Sequence, residues 1–311
     1  MPKETRPIVV VGSINMDLVA TAEKIPSAGE TVLGSCFEMH PGGKGANQAV
    51  AVARLGYPVQ MIGKLGSDSF GKQLLDHLQS SGVGLTGTEC VEDASGTAMI
   101  LVAPRGENCI VVNSGANAHV TPEYVESHLH LIRNAGLVLT QLEIPIETVE
   151  YLAEACFRES VPLILDPAPA QTLPPQLLKR IHWFTPNETE AAFYVRSDMD
   201  GLANGVPGLT ARLLLEQGPA GVILKMGSRG AYLAGDGLEQ QLNAIAVEAT
   251  DTTGAGDALN GAFAVGLMSG KTPVESLRFA VAAASVSVTR SGAQAAMPTF
   301  TEVTRMLHGR S

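Results

Sequence analysis

Short apolar runs rich in β-branched residues recur along the chain: "IVVVG" from Ile8, "VQMIG" from Val59, "GLVLTQ" from Gly136, "VPLILD" from Val161 and "GVILKMG" from Gly221. Each has the length and composition of a buried strand. Helical patterns lie between several of them, among them "GANQAVAVARLG" from Gly45 and "VEYLAEACFRES" from Val149. This alternation predicts an α/β fold: a Rossmann-like, mostly parallel sheet with helices on both faces and right-handed crossovers. Two stretches break the pattern. Asp17 to His40 has no helical period, and "TAMILVAPRGENCIVV" from Thr97 reads as two strands around Pro104-Arg105-Gly106-Glu107, a hairpin signal. They predict a small β-sheet lid, formed by 16–41 and 96–114, set into a single α/β domain spanning 1–311.

Composition narrows the classes. The 311 residues are 45% hydrophobic and 17% charged, enough apolar material for a sizeable core. A net charge of -10 argues against a nucleic-acid binder, whose footprint is basic. The four cysteines, Cys36, Cys90, Cys109 and Cys156, lack metal-like spacing, which points to reduced structural thiols. His128 and His130 stand two apart, on different faces of a helix, so no zinc site is expected. The apolar run at the N-terminus is too short for a signal peptide or a membrane span, and a cytoplasmic protein without membrane partners is the expectation.

Chemistry concentrates in two motifs. In "DTTGAGDALNGAFA" from Asp251, a glycine turn, Gly254-Ala255-Gly256, enters a small-residue helix. Such a turn aims free backbone N–H groups at one point, where the helix dipole favours an anion. Asp257 follows at once. It is either a common helix-start acid or a base beside a phosphate cradle, placed to take the proton of an attacking hydroxyl. The turn alone leaves both readings open. "GLMSGKT" from Gly266 imitates a P-loop, but Val265 stands where its first glycine is required and it follows a helix.

The second motif is "PGGKGANQAVAVARLG" from Pro41. Gly42 and Gly43 allow close backbone approach, Lys44 offers charge, and Asn47 both donates and accepts. Asn15, Asp17 and Glu143 fall just beyond predicted strand ends, where open parallel sheets bind ligands. Polar groups of this kind suit a polyhydroxyl ligand.

In these motifs the chain resembles the ribokinase-like family of carbohydrate kinases over nearly its whole length. The matches are "GSINMD", "GGKGANQA", "SGAN" at Ser114, "QLE" at Gln141, "DPAPA" at Asp166, "TPNETEA" at Thr185, "GSRG" at Gly227, "DTTGAGD" and "VTRSGAQ" at Val288. The resemblance implies ATP-dependent phosphorylation of D-ribose at O5. It makes Asp257 the base and the Gly254-Ala255-Gly256 amides the anion hole. Asn15, Asp17, Gly42, Gly43, Lys44, Asn47 and Glu143 then meet the sugar, while Asn187, Lys225, Gly227, Ser228, Gly230 and Gly256 lie at the ATP site. Glu190 completes an N-x-x-E pattern linked to magnesium. An activating potassium ion would sit on Asp251 and the carbonyls of Thr253, Ser287, Arg290 and Gly292. The family's lid often pairs subunits, which implies a homodimer. Three positions depart from the family. Lys225 replaces a small polar residue beside the nucleotide, Val281 stands where a histidine can flank the adenine, and Ala296 replaces a hydroxyl near the potassium loop.

Other readings are a kinase for 2-deoxyribose or a nucleoside, and a sugar-binding regulator without catalysis. A nicotinamide dehydrogenase is weakened because no G-x-G-x-x-G follows the first strand.

Overall fold

The computed structural model describes residues 5–104, 107–195 and 206–309. A nine-stranded sheet forms its centre. The strands are β1 (Ile8–Val11), β4 (Val59–Gly66), β5 (Gly84–Val91), β8 (Leu137–Thr140), β9 (Leu163–Leu165), β10 (Trp183–Phe184), β11 (Gly221–Lys225), β12 (Ala231–Gly235) and β13 (Leu238–Leu242). Their order is β13-β12-β11-β10-β9-β8-β1-β4-β5. Every pairing from β11 to β5 is parallel, and β12 and β13 add antiparallel at one edge. The expected mostly parallel sheet with helices on both faces is present.

The burial of β1 explains its unbroken apolar run. Ile8 and Val10 join one core cluster, with side chains of the helices Lys44–Arg54, Ala255–Met268 and Pro273–Ser287. Val9 and Val11 point the other way, into a second cluster with the helix Ile146–Arg158. All four are fully buried, so neither face of the strand tolerates a polar residue. The P-loop lookalike lies between the helices Ala255–Met268 and Pro273–Ser287, in no strand context.

A second, four-stranded sheet has the order β3-β2-β6-β7, from β2 (Asn15–Ala22), β3 (Gly34–Gly42), β6 (Gly96–Val102) and β7 (Asn108–Asn113). The β6–β7 pair is antiparallel, as the hairpin signal predicts; Arg105 and Gly106 of its turn lie outside the described residues. Register gives the two faces different jobs. Asp17 aligns with His40 and Ala98, and Ala98 with Val112, so these share one face. The row Met39, Leu18, Met99 and Val111 lies on the other. Met39, Met99 and Val111 are about half exposed there, as is Phe37 two residues from Met39.

Candidate active site

Five parallel strands deliver polar residues to one end of the large sheet. Ser13 and Asn15 follow β1, Gln141 and Glu143 follow β8, Asp166 follows β9, Asn187 follows β10, and Lys225 closes β11. Two helix starts face them. Lys44 opens the helix Lys44–Arg54, and Asp257 lies in the first turn of Ala255–Met268.

On one side, Glu143 accepts bonds from the Ser13 hydroxyl at 2.5 Å and the Lys44 amide at 3.1 Å. Asn15 is buried, and its Oδ1 accepts from Asn117 Nδ2 at 2.7 Å. Gly43 caps the helix with φ 86, a backbone region L-residues rarely adopt. A Cβ on Gly42 would come within 2.2 Å of Asp17 Oδ2, so glycine there lets the carboxylate lie against the chain. Burial, and then the charges of Glu143 and Asp257, push Asp17 up to about 7. Burial pulls Lys44 down, but Asp257, Glu143, Asp166 and Glu190 outweigh it and hold the ammonium firmly protonated.

Asp257 is 6% exposed. Its Oδ2 accepts from Asn47 Nδ2 at 2.9 Å and its Oδ1 from Gln48 Nε2 at 3.0 Å. Burial raises the carboxyl to about 6, against the pull of Lys44 and of these two donors. The Asn47 side-chain oxygen, Oδ1, is buried without a hydrogen-bond partner among the described residues, an acceptor left over for a ligand hydroxyl. Beside Asp257, Gly254 caps its helix in the left-handed region at φ 74. Of the three amides assigned to the anion hole, that of Ala255 is turned to the Thr252 carbonyl at 3.2 Å. Those of Gly254 and Gly256 make no backbone bond among the described residues.

On the far side, Lys225 Nζ bonds Asp166 Oδ1 at 2.7 Å, with both side chains nearly buried. The lysine also reaches the glycine turn, where a Cβ on Gly256 would stand 3.4 Å from Nζ. Asn187 and Glu190 hold each other: the Asn187 backbone and side-chain N–H groups donate to the Glu190 carboxylate at 2.7 and 2.9 Å. A backbone bridge joins Asn187 to Lys225. Gly227, Ser228 and Gly230 form a tight turn after β11, with φ 54 at Gly227 and 91 at Gly230. Val281 packs in the core rather than on the surface.

Of the residues assigned to potassium, Thr253 and Gly292 bond Asp251 directly. Its carboxylate accepts from the Thr253 amide and hydroxyl at 2.9 and 2.7 Å and from the Gly292 amide at 2.8 Å. These bonds outweigh partial burial and hold the carboxyl below its usual range. The Ser287 carbonyl receives the Arg290 amide at 3.3 Å. Among the described residues no three His, Cys, Asp or Glu side chains are grouped to hold a metal. A cation here would therefore rely on a single carboxylate together with backbone carbonyls or ligand phosphates.

A family model described as pfkB family carbohydrate kinase matches residues 5–300. The chain belongs to this family. A ribokinase from Bacillus subtilis (strain 168) is 45% identical over 303 residues, covering 97% of this chain and 99% of its own. The structure of Arabidopsis thaliana ribokinase complexed with ribose and ATP matches with a TM-score of 0.89 at 36% identity, over 98% of this chain and 99% of that one. A deoxyribokinase from Salmonella typhi is 33% identical over 96% of this chain and 98% of its own.

Gln48, Asp166 and Gln141 sit at the heart of the site, yet the sequence reading gave them no role. Gln141 and Asp166 lie inside quoted motifs, and Gln48 is one residue past Asn47. The adjacency of Gln48 to Asn47 was the available signal, since Asp257 takes its donors from these successive residues of one helix.

Asp17 yields a prediction at this point. Between about pH 4 and 7 the native state keeps a proton on Asp17 that the unfolded chain has lost, so ionising this carboxyl weakens the fold as pH rises. Asn cannot ionise. In the absence of ligand, Asp17→Asn is expected to melt above the parent at pH 8, with the gap closing towards pH 4. Melting curves at both pH values check it, and equal melting temperatures at pH 8 would sink the buried-carboxyl account.

Proposed function

We propose that this protein is a cytoplasmic, ATP-dependent ribokinase that transfers the γ-phosphoryl group of ATP to O5 of D-ribose, giving D-ribose 5-phosphate and ADP. The observation that carries it is the placing of the buried Asp257 carboxylate, between Asn47 and Lys44 on one side and the Gly254–Gly256 turn on the other. The kinship with ribokinases along nearly the full chain supports the same reading. Asn15, Asp17, Gly42, Gly43, Lys44, Asn47 and Glu143 form the sugar side. Asp257 takes the O5 proton as the hydroxyl attacks, and the turn's amides meet charge on the transferring group. Asn187, Lys225, Gly227, Ser228, Gly230 and Gly256 form the nucleotide side.

A magnesium ion arriving with the nucleotide would be held by its phosphates and by Glu190, which Asn187 orients. When bound, it neutralises phosphate charge. Magnesium-ATP and a panel of pentoses, hexoses and nucleosides test the function by ADP release. Ribose should give the highest kcat/KM. A 2-deoxy sugar leaves one partner of the buried polar cluster unpaired, which disfavours it. No ADP with any sugar would leave a sugar-binding regulator.

Potassium is the second cation of the proposal, on Asp251 and the carbonyls of Thr253, Ser287, Arg290 and Gly292. A large, weakly hydrated ion suits oxygens held by a loop that Asp251 already ties together. Ala296 lacks a hydroxyl, which weakens the site by about 1 kcal/mol on a net hydrogen-bond scale. Potassium is expected to raise the rate over a sodium control at equal ionic strength, and Ala296→Ser to lower the half-saturating concentration. A rate indifferent to potassium removes Asp251 from this role.

The small sheet is the lid. One face carries Asp17 to the sugar, and the opposite face offers Phe37, Met39, Met99 and Val111. An exposed apolar sheet face of this kind fits the same face of a second copy. Light scattering at micromolar protein with ribose should give a homodimer; a monomer mass would overturn it.

A further inference from the structure

We propose that Gln48 is a positioning residue for the reaction, its side-chain amide clamping the Asp257 carboxylate in the orientation that receives the sugar proton. The inference rests on the reading of Asp257 as the base. Gln48 is fully buried, and its one NH2 group donates to two carboxylates, Asp257 Oδ1 and Asp166 Oδ2, each at 3.0 Å. These carboxylates come from different segments, and the amide is the group between them.

The end of Gln48 that faces them is fixed from behind. Its Oε1 accepts from Gln141 Nε2 at 2.7 Å, and Gln141 is also fully buried. A flipped Gln48 amide would turn its oxygen to both carboxylates and its NH2 to the Gln141 NH2, losing three hydrogen bonds together. Gly12, just past β1, makes room for this pair, since a Cβ there would lie 2.1 Å from Gln141 Oε1. The site thus has a chain Gln141–Gln48–Asp257, with Asp166 and its partner Lys225 as a branch.

Two bonds orient Asp257. Asn47 binds Oδ2 and Gln48 binds Oδ1, both from the helix Lys44–Arg54. They fix the carboxylate plane and favour its ionised form. The other charges facing Asp257 are Lys44 on that helix, Asp17 on β2 and Asp166 after β9, which Lys225 of β11 offsets. Glu143 after β8 and Glu190 after β10 act on Lys44. With Gln48 gone, Asp257 keeps its burial and its acidic neighbours but loses one donor, so it takes up a proton at higher pH.

The test is the pH profile of kcat at saturating ribose and magnesium-ATP, for the parent and Gln48→Met. Methionine keeps the length and removes the donors. The acid limb should move up by about one pH unit or more, as expected for a hydrogen bond to a charged group. At pH 6.5 kcat should fall by about 3-fold or more while KM for ribose changes little, and the rate should recover at high pH. A lower rate with an unmoved limb, or an unchanged rate, overturns the proposal. If Gln48→Met does not fold, Gln48→Glu decides, because it keeps the shape of the side chain and replaces the NH2 donor facing Asp257 with an oxygen. The limb should shift the same way, and an unmoved limb there overturns the proposal equally. Asp257→Asn is assayed alongside. Near-parent activity in that variant sinks the base reading itself, whereas a dead Asp257→Asn with an unmoved limb in the glutamine variant sinks the positioning role alone.

Discussion

Asp257→Asn should lower kcat by roughly 10²–10⁴-fold, the usual contribution of a general base. The change removes a carboxylate that stands at the glycine turn and is held by the side-chain amides of Asn47 and Gln48. Both carboxylate oxygens accept bonds from side-chain amides, so asparagine turns one of these bonds into a meeting of two donors. Part of the loss is thus orientation, and part is the missing base. The nucleotide side does not bond this carboxylate directly, so the dissociation constant for ATP should change little. The parent enzyme adds a second signature. Because burial raises the carboxyl to about 6, activity should fall as pH drops through that value, and the residual activity of Asp257→Asn should lose this limb. A variant within a few-fold of the parent would return Asp257 to the ordinary helix-start acid that the sequence alone also allowed.

The fold was legible where the chain is monotonous. β1, β4, β8, β9 and β11 are buried on both faces and read as continuous apolar runs. The outer strands were not. β5 and β13 carry exposed polar positions, and β10 is two residues long, so none shows a run long enough to stand out from loop. β12 pairs antiparallel to β11, a direction set by the tight turn at Gly227–Gly230 rather than by any apolar pattern.

The site shows a similar division. Asp257, Lys44, Asn47 and Glu143 sit in glycine-rich or strand-end contexts whose chemistry is local, and the fold brings them together. The Lys225–Asp166 pair joins residues 59 apart in sequence, and the Gln48–Asp257 bond joins residues 209 apart. No window of sequence contains such a pair. The departure at Lys225 acquires a physical account only in three dimensions, as the counter-charge that lets Asp166 lie buried beside the glycine turn.

Gly43→Ala should cost about 10²-fold or more in kcat/KM for ribose. Gly43 has φ 86, and a Cβ there would stand 2.7 Å from the Asn15 amide nitrogen and 2.9 Å from the Ser13 carbonyl oxygen. Both are backbone atoms of the segment joining β1 to β2, so no rotamer change relieves the clash. The backbone of residues 13–15 and the start of the helix Lys44–Arg54 must move apart. That displacement separates Asn15 and Asp17 from Lys44 and Asn47, the two halves of the sugar side. It also shifts Gln48 and Asn47 against Asp257, because all ride on the same helix. A misplacement of about 1 Å at reacting groups is enough for a 10²-fold loss. Strain at a positive φ adds on the order of 1–3 kcal/mol of instability, so the variant should also melt lower. The atoms nearest a Cβ on Gly43 belong to residues 13–15 rather than to the Gly254 turn or to Asn187, Lys225, Gly227 and Gly230, so ATP binding in the absence of sugar should survive. The measurements are kcat/KM for ribose, ATP affinity and melting temperature together. Retained ATP binding with a collapsed kcat/KM is the expected pattern. A variant that phosphorylates ribose like the parent would show that the segment carrying Asn15 yields without cost, and that the close approach at Gly43 does not set the geometry of the sugar side.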